Sequence, residues 1–213
     1  MKLSSLTKLL GGLILCAGLS TAQVDFHHLT FNVGGGYTLA TPNIATDLDR
    51  GGNLQAGVGV NVTRHLGLQG TFMFNGLGIT RTALNRAGQP DGSARVYSFT
   101  IDPKITVWST EDASWYVLGG GGWMRRTVEF TQPTVVGAFI FDPWFGYLGP
   151  ALVPTNQVLG SFTQDTGTWD VGTGLNFRVP RMPVNFYLEG RFLSGLTDGR
   201  HTNIVPITFG VRW

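Results

Sequence analysis

The chain has 213 residues, a formal net charge of +2 and only 13% charged residues, and it contains 31 glycines. Soluble enzymes of this size usually carry about 25% charged residues, so the composition argues against an ordinary soluble enzyme. It also provides no strongly basic surface of the kind that binds nucleic acid, and no nucleic-acid partner is expected.

The N-terminal segment has the order of a secretory signal peptide. Lys2 and Lys8 flank the start of an apolar run at residues 9–19, and small residues follow it. Eleven helical residues extend only about 16 Å, so this run is too short to span a membrane as a helix. We predict a signal peptide over residues 1–22, Sec-type export and cleavage between Ala22 and Gln23.

Cleavage there would leave residues 23–213 as one domain with equal numbers of basic and acidic residues. The only cysteine, Cys16, lies in the apolar run, so this domain has no thiol for a disulfide or a thiolate metal site. Lipidation of Cys16 is the disfavoured alternative, because Leu15 stands where a lipoprotein signal needs a small residue. We expect no cofactor and no metal. After Gln23, no stretch has the length of a membrane helix or a sustained helical period.

Segments of about ten residues that alternate apolar with small or polar side chains recur along the domain. This period is typical of transmembrane β-strands, whose apolar face contacts lipid while the other face fills a crowded interior. The segments are residues 28–39, 54–63, 66–75, 95–107, 169–179, 184–193 and 205–213. Pro103 weakens the fourth of them, because proline cannot donate to the strand ladder.

One further segment, residues 115–128, has apolar residues on both faces and four consecutive glycines, so its facing stays open. Including it, the sequence predicts an all-β fold, an eight-stranded antiparallel transmembrane β-barrel, with ten strands as the alternative. A soluble β-sandwich or lipocalin-like barrel is disfavoured, because the large apolar residues form one near-continuous face opposite Gly, Thr, Asn and charged residues.

The connections alternate in length. Short ones are predicted around residues 64–65, 108–114 and 180–183, and long ones around residues 41–52, 81–93, 131–166 and 195–201. Outer-membrane barrels have short periplasmic turns and long extracellular loops, so this order places both ends of the domain in the periplasm.

Three stretches, GVGVNVTRHLGLQGTFMF, FYLEGRF and the terminal VPITFGVRW, resemble the small outer-membrane β-barrel family that includes OmpA, OmpX and OmpW relatives. The resemblance covers about residues 26–213. It implies a location in the outer membrane of a Gram-negative cell, contact with outer-membrane lipid, and biogenesis by periplasmic chaperones and the barrel assembly machinery.

In that family, an alternating last strand that ends in Phe or Trp is the signal read by the assembly machinery. The residues that match this signal are Val205, Ile207, Phe209, Val211 and Trp213. Gly210 departs from the commonest pattern, in which the glycine lies a little earlier.

Several charged residues fall on the face predicted to be interior. The lumen of an eight-stranded barrel is just wide enough for side chains to fill, and a buried charge must be paired. We therefore predict a structural ion-pair network rather than a catalytic one. Its predicted members are Asp102, Lys104, Asp170, Arg178, Glu189, Arg191 and Arg212.

Catalysis is the less favoured interpretation. Barrel enzymes of this kind use His with Ser or Asp near the outer rim, and among the four histidines only His201 is predicted there, with Ser194 as the nearest serine. We predict no enzyme activity, and a lipid-modifying enzyme is the least favoured function.

The connection at residues 131–165 is unusually long and apolar for an exposed loop, which is typical of an interaction site. The candidate residues are Phe139, Phe141, Trp144, Phe145 and Tyr147. Alternatively, the fifth and sixth strands continue as a hairpin that turns at residues 143–150, with the aromatic residues covering the barrel mouth.

The sequence thus predicts an integral barrel with a largely filled lumen that serves envelope structure or surface interaction through its long loops. The extracellular partner is unknown. An OmpW-like channel for small hydrophobic molecules is the alternative function.

Overall fold

A computed structural model describes residues 29–42, 44–45, 47–142, 144, 146–180, 182–196 and 201–213. The predicted signal peptide and its cleavage site lie outside the described residues. Within the described part of the chain, no helix has the length and apolarity needed to cross a membrane.

Eight antiparallel strands close into a barrel in chain order. The strands are β1 (Leu29–Ala40), β2 (Leu48–Asn61), β3 (Leu66–Ile79), β4 (Asp91–Ser109), β5 (Ala113–Asp142), β6 (Tyr147–Arg178), β7 (Asn185–Gly195) and β8 (Thr202–Arg212). The predicted eight-stranded antiparallel barrel is confirmed. The ten-strand alternative is wrong, because the additional β-structure lengthens β5 and β6 instead of forming new strands.

The ring closes where the two ends of the barrel meet. Val33 lies opposite Val211 in the β1–β8 pair, and Phe31 and Trp213 exchange two backbone hydrogen bonds of 2.8 and 3.0 Å. Their rings also stack, with centroids 6.1 Å apart. No strand edge therefore remains open along the wall of the barrel, as a membrane requires.

Exposure alternates along the strands in the predicted phase. On β2, for example, Leu54 and Val58 are exposed while Asn53 and Gln55 are buried in the lumen. The unassigned segment of β5 points Tyr116 and its even-numbered neighbours inward. Its phase could not be read from the sequence because large apolar residues lie on both faces, and the inward ones pack inside the barrel.

Pro103 is accommodated within β4. It lies opposite Leu68 of β3, whereas the register between β4 and β5 runs to Ile101 opposite Gly121 and resumes at Lys104 opposite Leu118. The residue without an N–H group thus falls where the ladder to β5 is interrupted.

Residues 131–165 do not form a long loop but continue β5 and β6 as a hairpin, which is the alternative that the sequence left open. β5 and β6 have 30 and 32 residues, and they stay paired up to Asp142 opposite Tyr147. β4 pairs with β5 only as far as Thr131, and β7 pairs with β6 only from Thr168 onward. The distal parts form a two-stranded ribbon exposed on both faces, so no period of two marks them in the sequence.

One short helix, α1 (Arg81–Ala87), lies in the connection between β3 and β4, where only a loop was predicted. The Thr80 side chain caps it by accepting a 3.3 Å hydrogen bond from the Ala83 amide, and Gly88 ends it at φ 64°. Its sequence shows no helical period, because Leu84 is its only buried residue.

Candidate functional site

Three groups of side chains occupy successive levels of the lumen. The outermost group is apolar, and its members are Ile44, Leu48, Leu77, Ala94, Val96, Met124, Leu193 and Ile204. Ile44 comes from the connection between β1 and β2, and the others are inward positions near the outer ends of the strands. This layer was not predicted, although the inward-facing Ala94 and Val96, next to the polar inward positions of β4, gave a signal for it.

The middle group centres on Arg191, whose side chain is almost fully buried. Its guanidinium donates to Asp102 Oδ2 at 2.6 Å, to Asp170 Oδ2 at 2.9 Å and to Glu189 Oε1 at 2.8 Å. It also donates to the hydroxyl of Thr71 at 3.0 Å. Four strands contribute to this cluster, because β3, β4, β6 and β7 place these inward residues at one level.

The third group centres on Arg212, which lies next to this cluster on the side of the short turns, the side predicted to face the periplasm. Its guanidinium donates to Asn176 Oδ1 at 2.7 Å and to the Tyr116 hydroxyl at 3.3 Å, and it lies 3.7 Å from Glu189 Oε2. The Tyr116 hydroxyl in turn donates to Glu189 Oε2 at 2.6 Å. Glu189 therefore links the two arginines, so five of the seven predicted network residues lie together.

The other two residues do not join the network. Arg178 is exposed at the periplasmic end of β6, eight residues and roughly 26 Å of strand from Asp170. Lys104 is buried, but among the described residues its ammonium makes no ion pair. The Lys104 Nζ atom lies 5.6 Å from the centroid of the Tyr116 ring. The prediction of ion pairing was thus wrong for both residues.

A polar cavity of about 540 Å³ opens at the end of the lumen that is predicted to face the periplasm. It lies among the short turns, and both Lys104 and Arg178 line it. Arg212 forms part of its inner end.

The β5–β6 ribbon carries large exposed apolar side chains. Phe139 is 76% exposed and Trp144 is 91% exposed, and Phe141 and Tyr147 are exposed as well. The ribbon thus presents these aromatic residues to solvent, so the predicted cover over the barrel mouth is wrong. Phe145 lies outside the described residues.

Below the ribbon, the outer wall carries an exposed ion pair. The Arg125 guanidinium donates to both carboxylate oxygens of Asp165, at 2.7 and 2.9 Å. Asp165 lies three residues beyond Thr168, where pairing with β7 ends. Hydrogen bonding to Arg125 holds the pKa of Asp165 below its ordinary value, and burial opposes this only in part.

The residues considered for catalysis are not brought together as a His–Ser pair. The Ser194 hydroxyl donates to Asn203 Oδ1 at 2.8 Å, and His201 Nδ1 lies 3.4 Å from the carbonyl oxygen of Gly195. Among the described residues, no group of three or more His, Cys, Asp or Glu side chains is arranged to hold a metal. His27 and His28 lie outside the described residues.

The predicted assembly signal lies on the lipid-facing side of β8. Ile207, Phe209 and Trp213 are exposed outward, in alternation with buried inward residues. Recognition by the assembly machinery remains a prediction.

The sequence matches the family described as "Outer membrane protein beta-barrel domain" over residues 10–212. The chain belongs to this family. It is an outer-membrane β-barrel protein of the bacterial outer membrane, as the resemblance in the sequence implied. No curated protein matches the sequence.

Solved structures of outer-membrane barrels are similar to this one. Neisserial surface protein A (NspA) is 11% identical, with a TM-score of 0.56 over 87% of this chain and 96% of that chain. Ail, the attachment invasion locus protein of Yersinia pestis, is 18% identical, with a TM-score of 0.46 over 87% of this chain and 99% of that chain. At these identities the likeness shows the fold alone, and the NspA match supports it.

Proposed function

We propose that this barrel is a non-enzymatic surface protein with a filled lumen, and that its β5–β6 ribbon binds an apolar protein surface outside the cell. The observation that carries the proposal is the exposure of the aromatic residues on the ribbon, with Trp144 91% exposed. Large exposed apolar patches on folded proteins usually mark interaction sites.

The composition of the ribbon fits a protein partner. Residues 132–157 contain one charged residue, Asp142, and no lysine, arginine or glutamate. The cores of protein interfaces are enriched in aromatic residues and depleted in charged ones. The ribbon extends about 36 Å beyond Thr131, since β5 continues for eleven residues there.

The backbone of the ribbon argues against insertion into lipid. Both outer edges beyond the rim lack a strand partner among the described residues, and unpaired backbone groups are not tolerated in hydrocarbon. Pro133, Pro150 and Pro154 lie in this part of the ribbon. Prolines on an exposed edge oppose the addition of another strand, so they favour contacts through side chains.

The buried side chains inside the barrel support a role that does not depend on transport. The apolar outer layer and the Arg191 cluster occupy the lumen in series, and the periplasmic cavity lies on the inner side of both. No observation favours the alternative of a channel for small hydrophobic molecules.

The test replaces residues 135–148 by a short Gly-Ser turn. The barrel should still fold, because this segment pairs only within the ribbon. Cells displaying the full chain should bind immobilised β-casein, an unfolded protein with accessible apolar side chains, and truncation should lower this binding at least tenfold. A full-length variant with Phe139, Phe141 and Trp144 replaced by serine should behave like the truncated protein. Arg86→Ser in α1 serves as the control and should bind normally.

Phosphatidylcholine vesicles provide the second probe. Binding of vesicles that depends on the ribbon, without binding of casein, would replace the protein partner by a lipid surface. Equal casein binding by the full chain and the truncated protein would overturn the proposal.

A further inference from the structure

The periplasmic cavity contains a buried cation without a counter-ion. Lys104 is 7% exposed and lines the cavity, and none of its three ammonium protons has a hydrogen-bond acceptor among the described residues. A buried ammonium is costly unless it is paired and hydrogen-bonded. Among the described residues, no anionic group pairs with the Lys104 ammonium.

The two buried carboxylates of Glu189 and Asp102 already accept hydrogen bonds from other groups. Glu189 accepts hydrogen bonds from Arg191, Tyr116 and Gln55, and Asp102 accepts one from Arg191. Two further acidic residues, Glu111 and Asp112, line the cavity from the turn between β4 and β5.

Arg212 reinforces the positive charge at the inner end of the cavity. Its Cζ atom lies 5.0 Å from the centroid of the Tyr116 ring, so it shares that ring with Lys104. The donors of Arg212 are directed to Asn176, Gln69 and Tyr116. Lys104 is thus the buried cation of the cavity that is free to accept a ligand, whereas Arg64 and Arg178, which also line the cavity, are exposed.

The cavity has the size and lining of a small-molecule site. Its volume of about 540 Å³ lies within the common range of about 300–1,000 Å³. Hydroxyl and amide groups line the wall around Lys104, from Thr30, Asn61, Thr106 and Asn185. These groups would bind the neutral polar parts of a ligand.

We propose that this cavity binds the anionic group, a carboxylate or a phosphate, of a small periplasmic molecule, and that Lys104 is its charge partner. The site opens at the end of the barrel opposite the β5–β6 ribbon. It is therefore independent of the surface interaction proposed above.

The chain allows a direct test, because Lys104 is the only lysine in residues 23–213. The full chain is produced with ¹³C-labelled lysine, purified from outer membranes and placed in nanodiscs. The Lys104 Cε signal is then followed by NMR during titration with sodium phosphate or sodium acetate, with sodium chloride as the ionic-strength control. We expect a saturable shift with at least one of the two anions and none with chloride. A response to phosphate alone assigns a phosphate ligand, and a response to acetate alone assigns a carboxylate.

Variants test the role of the charge. Lys104→Met should raise the dissociation constant of the responding anion, measured by calorimetry, at least tenfold. Lys104→Arg should restore most of the binding, and Arg50→Met, which removes a cation on β2 outside the cavity lining, should leave it unchanged. The absence of a saturable shift in the labelled wild-type protein would overturn the proposal even if a variant failed to fold. Equal affinity of the wild type and Lys104→Met would also overturn it.

Discussion

Arg191 binds three carboxylates at once inside the barrel, and it is the residue on which the polar part of the lumen depends. Its side chain is only 2% exposed, and the carboxylates of Asp102, Asp170 and Glu189 are fully buried. Glu189 would keep Arg212 as a neighbour if Arg191 were lost. Asp102 and Asp170 would lose their cation, so the cost of the change falls mainly on these two residues.

We expect Arg191→Leu to insert into membranes but to lower the free energy of unfolding by about 3–5 kcal/mol, because it leaves buried charge without a partner. Urea unfolding in lipid vesicles, followed by tryptophan fluorescence, measures this change. Arg50→Leu is the matched control, since Arg50 is an exposed arginine 3.9 Å from Asp49, and a surface pair of this kind contributes about 0–1 kcal/mol. Similar losses in the two variants would contradict the structural role of Arg191.

The sequence predicts which residues face the lumen, but it does not predict which of them form ion pairs with each other. The inward position of Arg191 and Glu189 follows from alternation, since one face of a strand is apolar and the other polar. The partner of each charge does not follow, because pairing depends on the level of each residue along the barrel axis. Lys104 and Asp102 share one face of β4, yet only Asp102 reaches Arg191.

At the scale of whole elements, the sequence predicts those strands that separate lipid from the lumen. β2 and β8 show this clearly, because their two faces meet different environments. The ribbon of β5 and β6 is exposed to solvent on both faces, so its sequence does not alternate apolar with polar residues. The helix α1 could not be predicted from the sequence either, because a single buried residue gives no helical period.

The close packing of β5 against β4 can be tested at Gly122. A β-carbon on Gly122 would overlap the carbonyl oxygen of Phe99 and would lie 2.9 Å from the Thr100 Cα atom. We expect Gly122→Ala to lower the free energy of unfolding by about 1–3 kcal/mol, because β4 and β5 would have to separate. The same urea titration in vesicles measures this effect.

Gly190 on β7 is the matched control, because a β-carbon there would meet nothing within 4 Å. Gly190→Ala should leave stability unchanged or raise it by up to about 1 kcal/mol, since alanine restricts the unfolded chain. Equal destabilisation by both substitutions would show that the close approach of β4 to Gly122 is not the cause.

The whole molecule has two solvent-accessible ends, the ribbon and the polar cavity, and buried side chains lie between them. A cluster of buried apolar residues lies in the outer part of the lumen, and the Arg191 cluster lies below it. The ribbon projects from the end predicted to be extracellular, whereas the polar cavity opens among the short turns at the end predicted to be periplasmic. This arrangement favours a protein whose two ends act separately over one that passes solutes between them.

Conductance tests this view of the molecule. In planar bilayers we expect the protein to show no reproducible current steps, because a solute would have to displace both the apolar layer and the buried ion pairs. The variant with residues 135–148 replaced by a Gly-Ser turn should be equally silent, since that segment pairs only within the ribbon. A general porin reconstituted in the same bilayers provides the positive control. Steps of uniform size that apolar solutes block would instead support a channel for small hydrophobic molecules. Steps found only after truncation would show that the ribbon covers the barrel mouth.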